Sequence, residues 1–306
     1  MRYMKKRRLC LDERKRGILF GNCYILPALI FMIALIGYPI FYNIYISFFD
    51  MTAQSVGQGH SAFIGLENYI RIFQDPTMKK ALFNTFFFTV CCIFFQFVIG
   101  FAFAVFFSQK FKAARYIKGL LVIGYMMPMT VVALLWKFML SPSNGIINTI
   151  LVNLHIIGQP LEWLMDGSTV MWGLIIVNTW VGIPFNMLLL STGLDNVPEE
   201  IYESANIDGA NPIQRFFYIT IPMIKQSIFS VLLLGFVYTF KVFDLVYVAT
   251  GGGPVDASEV LSTYSYNLSF KTYYFGQGAA VANVLFICLF VVALIYLKVI
   301  GKEEVN

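Results

Sequence analysis

Long hydrophobic runs separated by short polar connectors dominate this sequence. Six runs reach the length of about 20 residues that a helix needs to cross a bilayer. The first run contains Pro27 and Pro39 and is long for one crossing, so we expect it to tilt, kink or project beyond the bilayer. The pattern predicts an all-α membrane protein with six transmembrane helices. The runs are Ile18–Phe49, Leu82–Ser108, Ile117–Leu140, Val170–Ser191, Met223–Thr250 and Ala279–Ile300.

The polar connector before the fifth run, residues 196–222, carries the signals of two short helices that meet at an elbow. Asn196 is placed to cap the first helix and Pro198 suits its first turn. Gly209 supplies a left-handed residue that ends this helix, and Asn211-Pro212 repeats the cap-and-proline start. So much local structure predicts a docking surface for another protein. An ordinary ordered connector is the alternative.

Composition supports the membrane assignment, and the basic residues predict its orientation. Of the 306 residues 58% are hydrophobic and 13% are charged, and the net charge of +5 is concentrated in the tail, residues 1–17. The connector Ser141–Thr169 contains no Lys or Arg. The positive-inside rule then places both termini and the elbow connector in the cytoplasm, with residues 18–306 as one membrane domain. The basic residues outside the tail that support this orientation are Lys110, Lys112, Arg115, Lys118, Lys298 and Lys302.

Motifs for chemistry within this chain are missing from the sequence. It has no G-x-x-x-x-G-K-[ST] segment to hold nucleotide phosphates. Pro254 follows the run Gly251–Gly253, which predicts a turn at the end of a span. The five cysteines and two histidines lack metal-ligand spacing. We therefore expect neither an enzyme nor a metal site. Because a hydrophobic run follows the basic tail at once, we expect no nucleic-acid partner.

The elbow connector resembles the EAA loop of permeases from binding-protein-dependent ABC importers. Its sequence is most similar to that of the sugar-permease family. Ser204 departs from the usual alanine but is still small. The matching residues are Glu203, Ser204, Ala205, Asp208, Gly209, Ala210, Phe216, Ile219, Ile221 and Pro222. Other similar stretches, such as Phe63–Tyr69 and Thr250–Pro254, extend the resemblance over about residues 18–300.

The resemblance implies a fold, a set of partners and a function. It implies the type I ABC importer permease fold, with a core at about residues 80–300, in the inner or plasma membrane of a bacterium or archaeon. The implied partners are a second homologous permease subunit, two ATPase subunits that bind ATP and Mg, and an extracellular solute-binding protein. The implied substrate is a carbohydrate, with an oligosaccharide favoured. The EAA residues Glu203, Ser204, Ala205, Asp208, Gly209, Ala210 and Pro222 would couple the chain to the ATPase, and this chain itself would hold no cofactor.

Polar groups inside the runs are candidates for the substrate pathway, because such groups are rare in membrane spans. Lys241 and Asp244 lie three residues apart on one helical face and are placed to pair. A structural pair and a substrate contact are equally favoured for them. For each of the remaining candidates, helix packing or a role as a membrane-interface anchor is favoured over a substrate contact. They are Asn178, Trp180, Asn186, Tyr238 and Asn283.

Three alternative functions stay open at this point. The same machinery could carry glycerol phosphate or a polyol. A self-contained secondary transporter or channel would show inverted repeats or charges at the middle of the membrane, and no such symmetry is evident in the sequence. An integral membrane enzyme is disfavoured because no cluster of catalytic groups is recognisable.

Overall fold

The computed structural model describes residues 24–109, 111 and 113–300, and this part of the chain is helical without any β-strand. The basic tail, residues 18–23, Lys110, Lys112 and Lys302 lie outside the described residues. In chain order the helices are α1 (Tyr24–Ile46), α2 (Ala53–Gly57), α3 (Glu67–Gln74), α4 (Pro76–Ser108), α5 (Ala114–Met126), α6 (Met129–Met139), α7 (Ile146–Asn153), α8 (Val170–Asp195), α9 (Glu199–Ile207), α10 (Pro212–Met223), α11 (Lys225–Phe240), α12 (Asp244–Ala249), α13 (Leu261–Tyr266) and α14 (Phe275–Ile300).

Six membrane crossings are available in the described residues. Helices α1, α4, α8 and α14 are each long and apolar enough to cross alone. Two bent pairs supply the others: α5 meets α6 at 98°, and α10 meets α11 at 68°. With each bent pair counted as one crossing, the structure agrees with the six spans predicted from the hydrophobic runs.

The third and fifth runs are interrupted, whereas the sequence predicted continuous spans over Ile117–Leu140 and Met223–Thr250. Met127 is extended (ψ 139°) before Pro128, as the steric demand of a following proline favours. The fifth run leaves helical geometry at Ile224 and again over Lys241–Phe243. Average hydropathy does not detect these breaks, because one residue such as Pro128 or Lys241 changes the average over a run of about 20 residues only slightly.

Helix α1 contains a local distortion next to the second of its two prolines. Residues Ile33–Gly37 form a π-helical turn directly before Tyr38 and Pro39. Pro39 lacks the N–H that a regular helix needs, and π turns accommodate such a loss. Little of α1 is covered by the rest of the chain, so most of its surface is left for lipid or for another subunit.

Helices α4 and α8 pack closely along most of their length and form the centre of the described structure. Gly100 permits this approach: a Cβ atom there would lie 2.6 Å from the Asn186 Cβ and 3.2 Å from the Ile183 carbonyl oxygen. Gly182 packs against the Gln96 side chain in the same way. Small residues at helix crossings are the usual means by which membrane helices approach each other.

We predict that Gly100→Ala destabilises the protein by about 1–3 kcal/mol, since a methyl group must displace backbone and Asn186 at the crossing. The measurement is the thermal midpoint of the purified transporter in lipid nanodiscs, followed by intrinsic fluorescence. The matched control is Gly119→Ala on α5, where nothing lies within 4 Å of the added carbon. The control should be neutral or more stable by up to about 1 kcal/mol. Equal midpoints for the two variants would contradict a close crossing at Gly100.

Candidate functional site: a cavity between broken spans

A cavity of about 310 Å³, here called the central cavity, lies where the two interrupted runs meet α8. Helix α11 is 16 residues long, so the cavity lies ~24 Å along this helix from the elbow connector. The cavity is bordered by aromatic, amide, hydroxyl and charged side chains in a largely apolar setting. Its main lining residues are Gln96, Tyr125, Met129, Asn178, Gly182, Phe185, Tyr238, Thr239, Lys241, Phe243 and Asp244.

The helix breaks place side chains of both interrupted runs at the central cavity. Tyr125 and Met129 flank the break between α5 and α6, and residues 241–244 form and border the break between α11 and α12. Backbone that is not helical at membrane depth is tolerated where it lines a cavity or is buried in protein. In transporters such discontinuous helices are a common location for substrate sites.

The polar groups on α4 and α8 are held in place before any substrate arrives. Gln96 and Asn178 are 4% and 7% exposed. The Gln96 side-chain amide donates to the Asn178 backbone carbonyl at 2.9 Å. Gly182, one turn further along α8, leaves the space that the Gln96 side chain occupies. The Gln96 side chain is therefore held at one position of the cavity, beside Asn178.

Aromatic rings form a connected set along the opposite part of the cavity. Tyr125 stacks on Phe185 with 5.7 Å between ring centroids. Phe185 meets Tyr238 edge to face at 6.0 Å. The Lys241 ammonium group lies 5.4 Å from the centre of the Tyr238 ring, within the range of a cation–π contact. Ring faces and hydrogen-bonding groups are thus available together.

Lys241 and Asp244 both line the central cavity, but no salt bridge joins them in the described structure. The pairing anticipated from their spacing required a continuous helix. The chain leaves helical geometry after Phe240 and resumes it only at Asp244, so the two residues do not share a helical face. Asn178, Tyr238, Lys241 and Asp244 are the candidates that the structure brings together.

Trp180 and Asn186 lie close to the central cavity without lining it. The Trp180 indole lies against Gly124 of α5 and meets Trp136 of α6 at 5.8 Å. The Asn186 side chain donates to the Gly182 carbonyl at 2.9 Å and borders the crossing with α4. Both residues connect helices around the cavity.

Asn283 lies away from the cavity, in a network that joins three helices. Its side chain accepts a hydrogen bond from Asn43 of α1 at 2.8 Å and donates to the Tyr69 hydroxyl of α3 at 3.0 Å. Asn283 is 6% exposed, so these bonds satisfy an amide that would otherwise be buried without partners. The network attaches α1 to α14.

The elbow, residues 196–222, has the two-helix form that the sequence predicted. Gly209 has φ +79°, the left-handed conformation expected of the residue that ends α9. The Ala210 N–H donates to the Ala205 carbonyl at 2.9 Å, which completes a Schellman-type end. Asn211 and Gln214 cap α10 reciprocally, each side chain accepting from the backbone N–H of the other residue.

The predicted capping role of Asn196 is wrong. Helix α8 continues to Asp195, and Asn196 closes that helix with its N–H bonded to the Gly193 carbonyl at 3.3 Å. Pro198 occupies the position before α9, and no side chain caps this end. The long hydrophobic run therefore extends one turn further than its apolar residues indicated.

Some side chains of the elbow form hydrogen bonds within it, and others are exposed to solvent. The Tyr202 and Thr220 hydroxyls lie 3.0 Å apart, and Arg215 donates to the Asn206 side chain at 2.5 Å. Ala205 is buried within this chain. Glu203, Ser204 and Asp208 are exposed. So are four apolar side chains that the sequence reasoning passed over, Ile207, Ile213, Phe217 and Tyr218, which we call the apolar patch of the elbow.

Residues 96–302 match the sequence profile of the family described as "Binding-protein-dependent transport system inner membrane component". The chain belongs to this family. Among its relatives is the probable ABC transporter permease protein YurN of Bacillus subtilis, which is 34% identical over 92% of this chain and 96% of YurN. Another is the trehalose/maltose transport system permease protein MalF of Thermococcus litoralis, 30% identical over 91% of this chain and 92% of MalF.

A chain of a bacterial alginate ABC transporter, crystallised with an alginate pentasaccharide-bound periplasmic protein, has the same fold. The TM-score is 0.78, with 20% identity, 93% of this chain and 94% of that chain covered. The ABC importer permease fold implied by the resemblance is therefore confirmed. This inner membrane component is a multi-pass membrane protein and a transport component.

Several cavity residues of this inner membrane component were missed by sequence reasoning. Gln96 was the findable one, because it is an isolated amide within a run of phenylalanines. Phe185 and Phe243 carry no such signal, since phenylalanine is equally suited to a lipid-facing surface. Tyr125 is likewise an aromatic residue without a distinguishing signal in the sequence. Whether Tyr125 and Phe243 reach the cavity depends on the direction of the broken helices.

The connector between α12 and α13 contains a buried carboxylate. Glu259 is 3% exposed and accepts hydrogen bonds from the Asn267 amide at 3.1 and 3.2 Å. A side chain at Gly252 would collide with this carboxylate. The pKa of Glu259 is raised to about 7, mainly by burial; Asp256 acts in the same direction, and Thr263, Lys271 and Asn267 oppose the rise.

We predict that a rise of pH from acidic to neutral destabilises the protein through Glu259. Its pKa is higher in the folded protein than its ordinary value of 4.5, so the folded state binds the proton more tightly than the unfolded chain. The resulting stability is present below the ordinary pKa and is lost as pH rises through the folded pKa, a loss of about 3 kcal/mol. The thermal midpoint should fall between about pH 5 and about pH 8, and Glu259→Gln should remove much of this fall.

The matched control for that experiment is Glu162→Gln, which changes an exposed carboxylate in the connector before α8. This control should show the same pH dependence as the parent protein. Parallel midpoint curves for the parent and Glu259→Gln would show that Glu259 does not titrate in this range.

Proposed function

We propose that this chain is the permease subunit of an ATP-driven importer that takes up a carbohydrate, most simply an oligosaccharide, from an extracellular solute-binding protein. The observation that carries the proposal is the central cavity between broken spans. Sugars have apolar ring faces and many hydroxyl groups, so aromatic side chains beside amides and hydroxyls suit them. The name of the relative MalF, a trehalose/maltose permease, supports the same class of substrate.

The elbow is the proposed docking surface for a separate ATPase that binds ATP and Mg. The apolar patch of the elbow is exposed, and so are four acidic side chains of the same connector, Glu199, Glu200, Glu203 and Asp208. An apolar centre with a charged rim is typical of protein interfaces. Ser204 and Ala210 keep the elbow small near its bend, and Gly209 fixes the angle between α9 and α10.

A mechanical path leads from the elbow to the central cavity. Helix α10 joins α11 at Ile224, two residues after Pro222, with a bend of 68°. The far end of α11 contributes Tyr238 and Thr239 to the cavity lining. Displacement of the elbow by the ATPase would therefore move part of the cavity. In this proposal the elbow and both termini are cytoplasmic, and a second homologous permease subunit covers part of the exposed helix surface.

Lys241 favours a second candidate substrate, because an ammonium group suits the phosphate of glycerol phosphate. Asp244 lines the same cavity, and its carboxylate would repel an anionic substrate. We therefore propose a carbohydrate as the first candidate substrate and glycerol phosphate as the second.

The main experiment purifies the complex that forms around this chain and tests its solute-binding protein. Co-purification of an ATPase and a second permease, with vanadate-sensitive uptake, would support an ATP-driven importer. The binding protein should bind a di- or oligosaccharide from a panel that also contains sorbitol and glycerol 3-phosphate. Uptake by this chain alone in liposomes would establish a secondary transporter instead. Preference of the binding protein for glycerol 3-phosphate or sorbitol would contradict the proposal that the substrate is a di- or oligosaccharide.

The elbow geometry gives a prediction about coupling. Gly209→Val places a β-branched residue at φ +79°, which such residues strongly disfavour. We expect loss of ATPase co-purification or of ATP-driven uptake, with normal insertion into the membrane. Gly209→Asn is the matched control, because asparagine tolerates the left-handed region, and it should retain at least about half of the uptake. Normal uptake by the Gly209→Val variant would remove this role for the elbow.

The central cavity gives a prediction about substrate passage. Tyr238→Leu removes a half-exposed ring that contacts Phe185 and lies under Lys241. Uptake should fall about tenfold, which corresponds to about 1.4 kcal/mol, while the complex still assembles. Tyr116→Leu, a change at an exposed tyrosine on α5, is the control and should leave uptake unchanged. Equal uptake by the two variants would argue against passage along this cavity.

A further inference from the structure

A second set of aromatic rings lies beyond the central cavity, on the side away from the elbow. Phe243 stacks on Tyr247 at 5.1 Å between ring centroids. Tyr266 of α13 lies 5.1 Å from Phe243 and 4.9 Å from Tyr247. Phe270 follows at 5.1 Å from Tyr266. We call these four residues the outer aromatic set.

The outer aromatic set is continuous with the central cavity. Phe243 belongs to both, since it lines the cavity and contacts Tyr247 and Tyr266. From Phe270 inward, each ring is in contact with the next until Phe243 is reached. A solute that moves from ring to ring along this set therefore arrives at the cavity beside Lys241.

The outer aromatic set is not part of the hydrophobic core. Leu245, Val246 and Ala249 on α12 are buried in a core cluster, whereas Phe243 and Tyr247 of the same segment are only partly buried. Leu261 and Tyr264 of α13 likewise belong to the core, and Tyr266 does not. One face of each segment thus stabilises the fold, and the other presents rings.

Polar groups accompany these rings. The Lys271 ammonium group lies 5.3 Å from the centre of the Tyr247 ring. The neighbouring Tyr247 phenol raises the pKa of Tyr266. Phe270 is 60% exposed at the outer end. Partly exposed rings with hydroxyl and ammonium groups beside them suit a solute that is apolar on its faces and polar around its rim.

We propose that Phe243, Tyr247, Tyr266, Phe270 and Lys271 form an outer carbohydrate-binding subsite, which takes pyranose rings by stacking and leads them to the central cavity. This inference rests on the proposed function, because it names a subsite for the same class of substrate. It assigns the selection of ring-shaped sugars to a surface outside the cavity. Open-chain polyols, which have hydroxyl groups but no ring face, are poor ligands of such a surface.

The test uses the whole complex in lipid nanodiscs without its solute-binding protein. The probes are maltotriose and cellotriose, which differ in linkage, and sorbitol as the open-chain control. Binding is measured by saturation-transfer NMR on the C–H protons of the sugars and by titration of each probe into the complex. Tyr266→Leu and Phe270→Leu should each weaken trisaccharide binding by about threefold to tenfold, the range expected for one stacking contact. Sorbitol should bind more weakly than either trisaccharide.

Two controls separate stacking from structural damage. Tyr266→Phe keeps the ring and loses only the hydroxyl group, so it should weaken trisaccharide binding less than Tyr266→Leu does. Phe290→Leu removes an exposed ring of α14 that stacks on Phe286, outside the outer aromatic set, and should leave binding unchanged. Phe270 is exposed, so its variant remains informative even where Tyr266→Leu fails to assemble.

The possible outcomes distinguish this inference from the proposed function. Unchanged trisaccharide binding in both leucine variants, together with loss in Tyr238→Leu, would overturn the outer subsite and leave the central cavity as the sugar site. Sorbitol binding as tight as that of the trisaccharides would also overturn it. Absence of trisaccharide binding in the parent complex would reject the subsite. Whether carbohydrate is the substrate is decided separately, by the solute-binding protein and by uptake.

Discussion

The absence of water in the bilayer constrains this structure more than any single contact. Backbone groups in the hydrocarbon region must be satisfied within a helix or by neighbouring protein. The breaks at Met127–Pro128 and Lys241–Phe243 border the central cavity, where irregular backbone is tolerated. The same breaks bring side chains from two separate runs to one place. An irregularity that would be costly against lipid thus becomes the means of building a site.

The crossing of α4 and α8 supports this arrangement. Gly100 and Gly182 allow the two helices to approach, and Gln96 bonds to α8 at the level of the cavity. Two discontinuous spans are consequently held against a continuous pair. This combination is suited to transport, because the broken helices can change their angle while the central pair keeps its contact.

The elbow and the central cavity lie at opposite ends of α11 and differ in chemistry. The elbow has a fixed bend, braced by Tyr202 with Thr220 and by Arg215 with Asn206, and it presents an apolar patch and exposed acidic residues. The cavity has aromatic and amide groups. A rigid surface for a protein partner and a polar aromatic site for a small solute are what a coupled transport subunit requires.

The sequence by itself determined the all-helical membrane class, the six crossings, the left-handed bend at Gly209 and the family. Hydrophobic length and local capping rules are sufficient for these features. Only the tertiary structure decided which polar residues meet. Asn178 and Asn283 are both amides in apolar runs, yet one lines the cavity and the other joins α1 to α14. The difference arises from helices that are distant in sequence, and from backbone breaks that hydropathy cannot register.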